Sequence, residues 1–232
     1  ALYDFSVLGE NIMLIGKGEK LVMIGDSVTD CGRTQPVAEG LFDPLGRGYV
    51  TFVDALLSAC YPELGIRVVN MGNSGNTVRD LQARWTRDVL DLKPDWLSIC
   101  IGVNDVWRQF DIPRQTEKHV MLEEYAATLG QLVSTTRPQL KGLVLMTPYY
   151  IEPNRDDAMR MRMDEYGAAV RQIAAAHDAH FVDLQAAFAP LLEHVHSAAI
   201  SWDRIHPNQT GHMVIARAFL KAIGFSWTGA PA

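Results

Sequence analysis

Short apolar runs alternate with amphipathic helical patterns along this chain of 232 residues. Five runs, rich in branched side chains and without a polar face, span residues 21–24, 66–69, 96–101, 143–146 and 181–184. Strands of this kind fit a parallel sheet that helices cover on both sides. Apolar residues recur at three- and four-residue spacing over the segments 49–59, 77–92, 123–136, 160–177 and 209–223. The alternation predicts an α/β fold, a three-layer α/β/α sandwich around a parallel sheet of about five strands with right-handed crossovers.

The domain organisation follows from the lack of any linker-like stretch. We expect a single domain over residues 19–232, preceded by an N-terminal extension over residues 1–18 that forms a surface strand or arm. Hydrophobic residues make up 48% of the chain, which is enough for a substantial core without disulfide bonds or a structural metal. The net charge of -6 argues against non-specific binding to nucleic acid or to an anionic membrane.

The cysteines indicate a reducing compartment. Cys31, Cys60 and Cys100 are an odd number of widely spaced residues without a Cys-x-x-Cys pair, so we expect free thiols and a cytoplasmic protein. No apolar run reaches the roughly 18 residues that span a bilayer. Residues 1–18 lack the features of a signal peptide, although a mature chain that had lost a leader before Ala1 would look the same.

The first apolar run ends abruptly in Gly25-Asp26-Ser27. In an open α/β sheet, ligands bind at the carboxyl ends of the strands, and a serine entering a helix there is polarised by the helix's positive end. Ser27 is therefore a candidate nucleophile. Taken by itself, the same serine is equally well explained as a helix N-cap.

Three further strand ends carry polar residues that a core does not need. Gly72 and Gly75 follow the second run, where tight turns leave backbone N–H groups free near a helix start. Asn104 follows the third run and offers an amide donor. Near the C-terminus, Asp203 precedes His206 by three residues, a spacing that lets the carboxylate hold the imidazole in one tautomer.

Each of these features also has an ordinary structural explanation. Gly75 is explained as a turn former, Asn104 as a helix cap or Asx-turn, and Asp203 with His206 as a surface turn ending at a proline. Together with Ser27, however, they form the set of groups that an acyl-transfer site requires. The combination favours a serine hydrolase over four unrelated turns.

These segments resemble the four sequence blocks of the SGNH (GDSL-type) hydrolases, in order and at suitable separations. The blocks are Gly25-Asp26-Ser27, Gly75 in Ser-Gly-Asn-Thr, Asn104 in Gly-Val-Asn-Asp, and Asp203-x-x-His206. The resemblance covers the chain from about residue 18 onward. One difference is Val28, which stands where the Gly-Asp-Ser-Leu pattern that gives the family its name has leucine. The longer strings around the blocks more narrowly resemble bacterial intracellular acetylxylan esterases that deacetylate xylo-oligosaccharides.

The resemblance implies a serine esterase of xylan degradation that removes O-acetyl groups from xylo-oligosaccharides or similar acetylated sugars through an acetyl-serine intermediate. It assigns Ser27 as nucleophile, His206 as general base and Asp203 as the residue that orients it. The oxyanion hole would consist of the backbone N–H groups of Ser27 and Gly75 and the side-chain amide of Asn104. No metal or organic cofactor is implied, and relatives of the narrower type assemble into homo-oligomers, so we expect a homo-oligomer here.

Aromatic residues near the blocks are candidates for sugar binding. Trp107 and Trp202 flank catalytic blocks, and Tyr149 and Tyr150 follow the fourth run, although such rings equally often pack in a core or a subunit contact. Asp26, beside the nucleophile, is a candidate for substrate contact or for local hydrogen bonding. Trp85 and Trp96 are expected in the core. Long loops at strand ends are predicted over residues 106–118 and 147–157.

Other functions would use parts of the same pattern. A broad short-chain carboxylesterase or thioesterase of the same superfamily would use the same triad with a different pocket. A non-catalytic carbohydrate-binding module has no need of a complete Ser-His-Asp set, and a nucleotide binder would need a Gly-rich phosphate loop after the first strand. The pair His194-x-His196 lacks the further ligands of a zinc site, so these histidines are expected to be structural or solvated.

Overall fold

Five parallel strands form the centre of the computed structural model, which describes residues 12–228. The strands are β1 (Lys20–Gly25), β2 (Arg67–Gly72), β3 (Trp96–Cys100), β4 (Gly142–Met146) and β5 (His180–Val182). Their order in the sheet is β2-β1-β3-β4-β5, and every neighbouring pair is parallel. All five runs that the sequence indicated are strands, with ends that differ by at most three residues. The predicted α/β fold is confirmed.

Eight α-helices lie within the described residues. They are α1 (Ser27–Asp30), α2 (Tyr49–Cys60), α3 (Val78–Trp85), α4 (Val103–Asp111), α5 (Leu122–Thr136), α6 (Ala158–Ala176), α7 (Leu184–Leu192) and α8 (Gln209–Ala222). A π-helical turn, Thr86–Leu90, directly follows α3, and short 3-10 turns span Thr116–Lys118, Arg137–Gln139 and Ser197–Ala199. No helix between residues 12 and 228 combines the length and the apolar character needed to cross a membrane.

The helices cover the sheet on both sides. Along β1, Val22 and Ile24 are buried in the same apolar cluster as residues of α3, α4, α5 and α6, whereas Leu21 and Met23 are buried with residues of α2, α7 and α8. Side chains that alternate along a strand point to opposite faces, so a strand that is apolar throughout requires a helical layer on each side. The result is the three-layer sandwich that the sequence predicted.

Two local predictions were wrong, and one helix was not predicted. The loop expected over 106–118 is helical as far as Asp111, because Val103, Val106 and Phe110 repeat at helical spacing despite the polar residues between them. The segment 77–92 is not one α-helix, since α3 ends at Trp85 and the π-helical turn replaces its last part. The helix that was not predicted is α7, which contains Pro190, a residue that disfavours a helix interior.

The predicted N-terminal extension lies partly outside the described residues, which begin at residue 12. Within its described part, the backbone N–H of Leu14 donates to the carbonyl oxygen of Ile223 at 3.0 Å. The backbone N–H of Gly18 donates to the carbonyl oxygen of Leu64 at 2.7 Å. Ile15 is 1% exposed and contributes to the core. Residues 12–18 therefore pack onto the domain, and the division at residue 18 stays a prediction.

The sheet order places a crevice at the carboxyl ends of β1 and β3. After β1 the chain continues to α2 on one face of the sheet, and after β3 it continues to α4 and α5 on the other face. A ligand site is favoured at such a switch point, because the two connections separate and leave an open space between them. Ser27 follows β1 and Asn104 follows β3, so both lie at this crevice.

Candidate active site

A tight turn between β1 and α1 holds Ser27 at the sheet edge. Asp26 caps α1, with its Oδ1 accepting the backbone N–H of Val28 at 3.0 Å. Any Cβ at Gly25 would lie 2.3 Å from the carbonyl oxygen of Cys100, so only glycine fits where β1 meets β3. The turn brings the first residue of α1, Ser27, directly to the carboxyl end of the sheet.

Ser27, His206 and Asp203 form a continuous chain of hydrogen bonds. Ser27 Oγ lies 2.7 Å from His206 Nε2, and His206 Nδ1 lies 2.6 Å from Asp203 Oδ2. The other carboxylate oxygen of Asp203 accepts the backbone N–H groups of Ile205 and His206 at 2.9 and 2.8 Å. A carboxylate on Nδ1 places the imidazole proton there, which leaves Nε2 free to accept the proton of the serine hydroxyl.

Asp203 stays ionised over the whole neutral range. Its partial burial raises the pKa, but hydrogen bonds from the His206 side chain and from the backbone N–H groups of His206 and Ile205 outweigh that effect and lower the pKa to about 2. The side chain therefore carries its negative charge beside the imidazole at any pH well above 2. A fixed negative charge at Nδ1 stabilises the imidazolium that forms when Nε2 takes up a proton.

The other predicted oxyanion-hole residues lie in the same cleft. Gly75 and Asn104 line a cleft of about 450 Å³ together with Ser27 and His206. Gly75 has a φ of +81°, a backbone conformation that favours glycine. Asn104 is 2% exposed, and its Nδ2 donates to the carbonyl oxygen of Asn76 at 3.0 Å. The structure thus brings every predicted catalytic and oxyanion-hole residue to one place.

The cleft is also lined by four residues that the sequence did not indicate as functional, namely Cys31, Arg47, Ser74 and Arg108. For Arg108, a signal was present, because it follows Asn104 by four residues and so lies on the same face once α4 is known to be a helix. For Arg47, no sequence signal exists, since it belongs to the segment between α1 and α2 that lacks a recognisable pattern.

The aromatic candidates have different surroundings. Trp107 lines the cleft, with its ring centroid 5.8 Å from that of His206 in an edge-on arrangement. Trp202 is 92% exposed and is not part of the cleft lining. Trp85 and Trp96 are buried, as the sequence predicted.

Two expected sugar contacts are wrong. Asp26 is 1% exposed and, unlike Asn104, does not line the cleft, so its side chain acts in local hydrogen bonding and does not contact a sugar. Tyr149 is fully buried and donates its hydroxyl proton to the carbonyl oxygen of Ile205 at 2.9 Å. The loop after β4 therefore supports the segment that carries His206, through Tyr149, and does not present this ring to a ligand.

Two buried carboxyl groups lie behind the cleft. Burial raises the pKa of Asp26 to about 6 and that of Asp105 to about 7. Asp105 Oδ1 accepts the backbone N–H of Val78 at 3.0 Å, which ties the start of α4 to the start of α3. Among the described residues, no hydrogen-bond partner reaches Oδ2 of either carboxyl group. Both therefore act on structure, through the helix starts that they hold.

The remaining histidine near the cleft is structural. His212 is buried, which lowers its pKa to about 4, and its Nδ1 accepts the backbone N–H of Tyr49 at 3.2 Å. It is neutral at physiological pH and anchors α2 to α8. Between residues 12 and 228, no three His, Cys, Asp or Glu side chains are arranged to hold a metal ion.

Known proteins resemble this chain over most of its length. An acetylxylan esterase from Geobacillus stearothermophilus is 61% identical over 215 residues, covering 93% of this chain and 98% of that protein. A crystal structure of the acetylxylan esterase from that organism has a TM-score of 0.93, with 60% identity over 94% of this chain and 100% of its own. The crystal structure of an α/β hydrolase enzyme from the metagenome of Lake Arreo, Spain, has a TM-score of 0.91, with 55% identity over 94% and 100% of the two chains.

Three of the similar structures are described as catalytic mutants of the Geobacillus enzyme, with alanine in place of a serine, an aspartate and a histidine. The serine and the histidine of that enzyme are 179 positions apart, which is also the separation of Ser27 and His206. The family described as GDSL-like Lipase/Acylhydrolase matches residues 23–214. This chain belongs to the GDSL-like lipase/acylhydrolase family.

Proposed function

We propose that this protein is a serine carbohydrate acetylesterase that removes O-acetyl groups from xylo-oligosaccharides or similar acetylated sugars. The observation that carries the proposal is the chain of hydrogen bonds from Ser27 through His206 to Asp203, at 2.7 and 2.6 Å, in an open cleft. The 61% identity to an acetylxylan esterase supports acetylated xylo-oligosaccharides as the substrate class.

In the first half-reaction, Ser27 Oγ attacks the carbonyl carbon of the acetyl group while His206 Nε2 takes the hydroxyl proton. The carbonyl oxygen becomes an oxyanion, which the backbone N–H groups of Ser27 and Gly75 and the Nδ2 of Asn104 stabilise. The bond between the acetyl carbon and the sugar oxygen then breaks. His206 gives its proton to the leaving sugar oxygen, which departs as a hydroxyl group, and an acetyl-serine remains.

In the second half-reaction, water takes the place of the sugar. His206 removes a proton from the water as it attacks the acetyl-serine, and the same oxyanion donors act again. When the tetrahedral species collapses, His206 returns the proton to Ser27 Oγ and acetate leaves. Asp203 keeps the imidazole in one orientation throughout, so the chain's own side chains supply every proton transfer.

On the substrate side, Trp107 is the aromatic surface nearest the nucleophile. Its indole lines the cleft beside His206 and can stack on the sugar ring that carries the acetyl group. Trp202 lies next to Asp203 but outside the cleft lining, where only a longer oligosaccharide would meet it. We therefore assign Trp107 to the acetylated residue and Trp202 to more distant sugars.

Acetate release tests the proposal. Peracetylated xylose and acetylated xylo-oligosaccharides are incubated with the protein beside an acyl thioester, and Ser27→Ala serves as the blank. We expect rapid acetate release from the sugars that depends on Ser27, with little thioester hydrolysis. Turnover of thioesters or simple aryl esters alone would contradict the substrate class, and activity that survives Ser27→Ala would contradict the mechanism.

We also propose a homo-oligomer. The exposed large apolar side chains include Leu41 at 83%, Phe42 at 96% and Trp227 at 62%. Apolar groups of this size on a surface are typical of contacts between subunits. Sedimentation equilibrium at micromolar concentration is expected to give a mass that is a multiple of 25.8 kDa. A single species of monomer mass would contradict the proposal.

A cytoplasmic location is the last part of the proposal. All three cysteines are free thiols, and Cys100 is only 2% exposed, as expected of a chain that folds under reducing conditions. After fractionation of the source cells, the esterase activity is expected with the cytoplasmic marker enzymes. Recovery with secreted or cell-surface proteins would contradict this location.

A further inference from the structure

The helix that carries Asn104 also carries a charged partner for its side chain. In α4, residues four positions apart lie on the same face, and Arg108 Nη2 donates to Asn104 Oδ1 at 3.1 Å. On the opposite side, Asn104 Nδ2 donates to the carbonyl oxygen of Asn76 at 3.0 Å. The amide is therefore held at its oxygen and at its nitrogen by two different segments.

The chemistry of these two partners permits only one orientation of the amide. A guanidinium group has donors and no acceptor, whereas a backbone carbonyl oxygen only accepts. A flipped amide would place Nδ2 against Arg108 and Oδ1 against the Asn76 oxygen, and both hydrogen bonds would be lost. In the orientation observed, Nδ2 keeps a second hydrogen that is bonded to no acceptor among the described residues, at the wall of the cleft that contains Ser27.

Arg108 is itself held by other groups of the protein. Its Nη1 forms an ion pair with Asp111 on the next turn of α4, and its guanidinium carbon lies 4.6 Å from the centroid of the Trp107 ring. Only 25% of the side chain is exposed. A charged donor fixed in this way makes a stronger hydrogen bond than a neutral one and draws electron density towards Oδ1. The Nδ2 hydrogens become better donors as a result.

We propose that Arg108 is a positioning residue for the esterase reaction, which orients the Asn104 amide so that Nδ2, and not Oδ1, meets the oxyanion. The inference rests on the function proposed above and adds a residue to it. Without Arg108, the amide oxygen has no fixed partner, and orientations that turn Oδ1 towards the oxyanion become populated. Those orientations would repel the charge that develops in the transition state.

A double-mutant cycle tests this role. The values of kcat and KM for acetylated xylo-oligosaccharides are measured for the wild type, Arg108→Met, Asn104→Ala and the double variant. We expect Arg108→Met to lower kcat about tenfold with KM within twofold, and Asn104→Ala to lower kcat by about 10²–10³-fold. In the double variant, kcat should equal that of Asn104→Ala within twofold, because Arg108 acts only through that amide.

Three more variants serve as controls for the double-mutant cycle. Arg108→Lys keeps a charged group that only donates, so it should recover most of the kcat that Arg108→Met loses. Arg108→Leu also removes the donor to Asn104 Oδ1 and takes the place of the methionine variant if that one does not fold. Arg162→Met is the matched control, since Arg162 pairs with Glu165 three residues on along α6, as Arg108 pairs with Asp111, and its kcat should be unchanged.

The results separate this inference from the function on which it rests. If Arg108→Met lowers kcat as much in the Asn104→Ala background as in the wild type, Arg108 does not act through Asn104 and the inference is overturned. A rise in KM with kcat unchanged would mean that Arg108 binds the sugar directly, which also overturns it. If Asn104→Ala is as active as the wild type, the result would instead contradict the role of Asn104 as an oxyanion donor in the function proposed above.

Discussion

At the scale of single residues, the site depends on how donors and acceptors are matched. Asp203 Oδ1 accepts two backbone N–H groups, so only Oδ2 is left for the imidazole. The carboxylate is thus fixed by its own turn before it orients His206. A three-residue spacing is enough for this arrangement, because the turn supplies both the carboxylate and the N–H groups that hold it.

Asp203→Asn tests this matching. The asparagine Oδ1 can still accept the N–H groups of Ile205 and His206, so the turn should remain folded. Its amide nitrogen would face His206 Nδ1 and act as a donor there, which moves the imidazole proton to Nε2 and prevents that atom from accepting the proton of Ser27. We expect kcat to fall by about 10⁴-fold with little change in Tm.

Steady-state kinetics and thermal melting of this variant are compared with those of Ser201→Ala, which removes only a hydroxyl that donates to Asp203 Oδ1 at 3.0 Å. The control is expected to keep kcat within severalfold of the wild type. An Asp203→Asn enzyme within tenfold of the wild type would mean that the carboxylate does not set the imidazole tautomer.

At the scale of elements, buried acids hold the helix starts behind the cleft. Asp26 caps α1, and Asp105, in the first turn of α4, accepts a hydrogen bond from the first residue of α3. Both are buried, and burial disfavours their charged forms. These elements are therefore more stable when the acids are protonated.

Asp105→Asn is expected to change how stability depends on pH. Burial raises the folded-state pKa of Asp105 to about 7, above the usual value of a free aspartate, so the folded state binds more protons than the unfolded state between pH 4 and 7. The stabilisation that this group contributes is present at pH 4 and is lost as the pH rises through 7. Asparagine does not titrate, so the variant should gain on the order of 3 kcal/mol relative to the wild type between pH 4.5 and 8.

Urea unfolding at the two pH values measures this gain. Asp178→Asn is the matched control, because the side chain of Asp178 is fully exposed and its substitution should give the same small difference at both pH values. If the free energies of unfolding of Asp105→Asn and the wild type differ equally at pH 4.5 and pH 8, Asp105 does not titrate in this range.

At the scale of the whole molecule, four segments that are far apart in sequence meet at one sheet edge. Ser27 and His206 are separated by 179 residues, yet their side chains are in hydrogen-bond contact. The loop after β4 helps to bring this about. The Tyr149 hydroxyl donates to the Ile205 carbonyl oxygen. The backbone N–H of Ile151 donates to the Arg204 carbonyl oxygen at 2.8 Å, and the Glu152 carboxylate forms an ion pair with the Arg204 guanidinium.

Tyr149→Phe should weaken this support. The buried carbonyl oxygen of Ile205 would lose its donor, which costs about 1–3 kcal/mol of stability. Because His206 is the next residue, we also expect kcat to fall severalfold. Tyr61→Phe is the control, since the Tyr61 hydroxyl accepts the backbone N–H of Ser226 away from the cleft and should affect Tm alone. Equal kcat for both variants would show that the loop does not position His206.

The sequence alone determined the fold class and the segments that carry the chemistry. Strands apolar on both faces need helices on both sides, and in a parallel sheet their carboxyl ends lie along one edge. Polar residues after β1, β2 and β3 were therefore expected to converge. The spacing of Asp203 and His206 is local, so it too was readable from the chain.

Burial and long-range contacts were decided only by the tertiary structure. Asp26 and Tyr149 looked like ligand contacts because of their positions in sequence, but packing of the surrounding elements buries both. The place of Arg108 beside the Asn104 amide became visible only once the polar segment after β3 proved to be a helix. Local sequence sets spacing and periodicity, whereas the accessibility of a side chain depends on distant segments that pack against it.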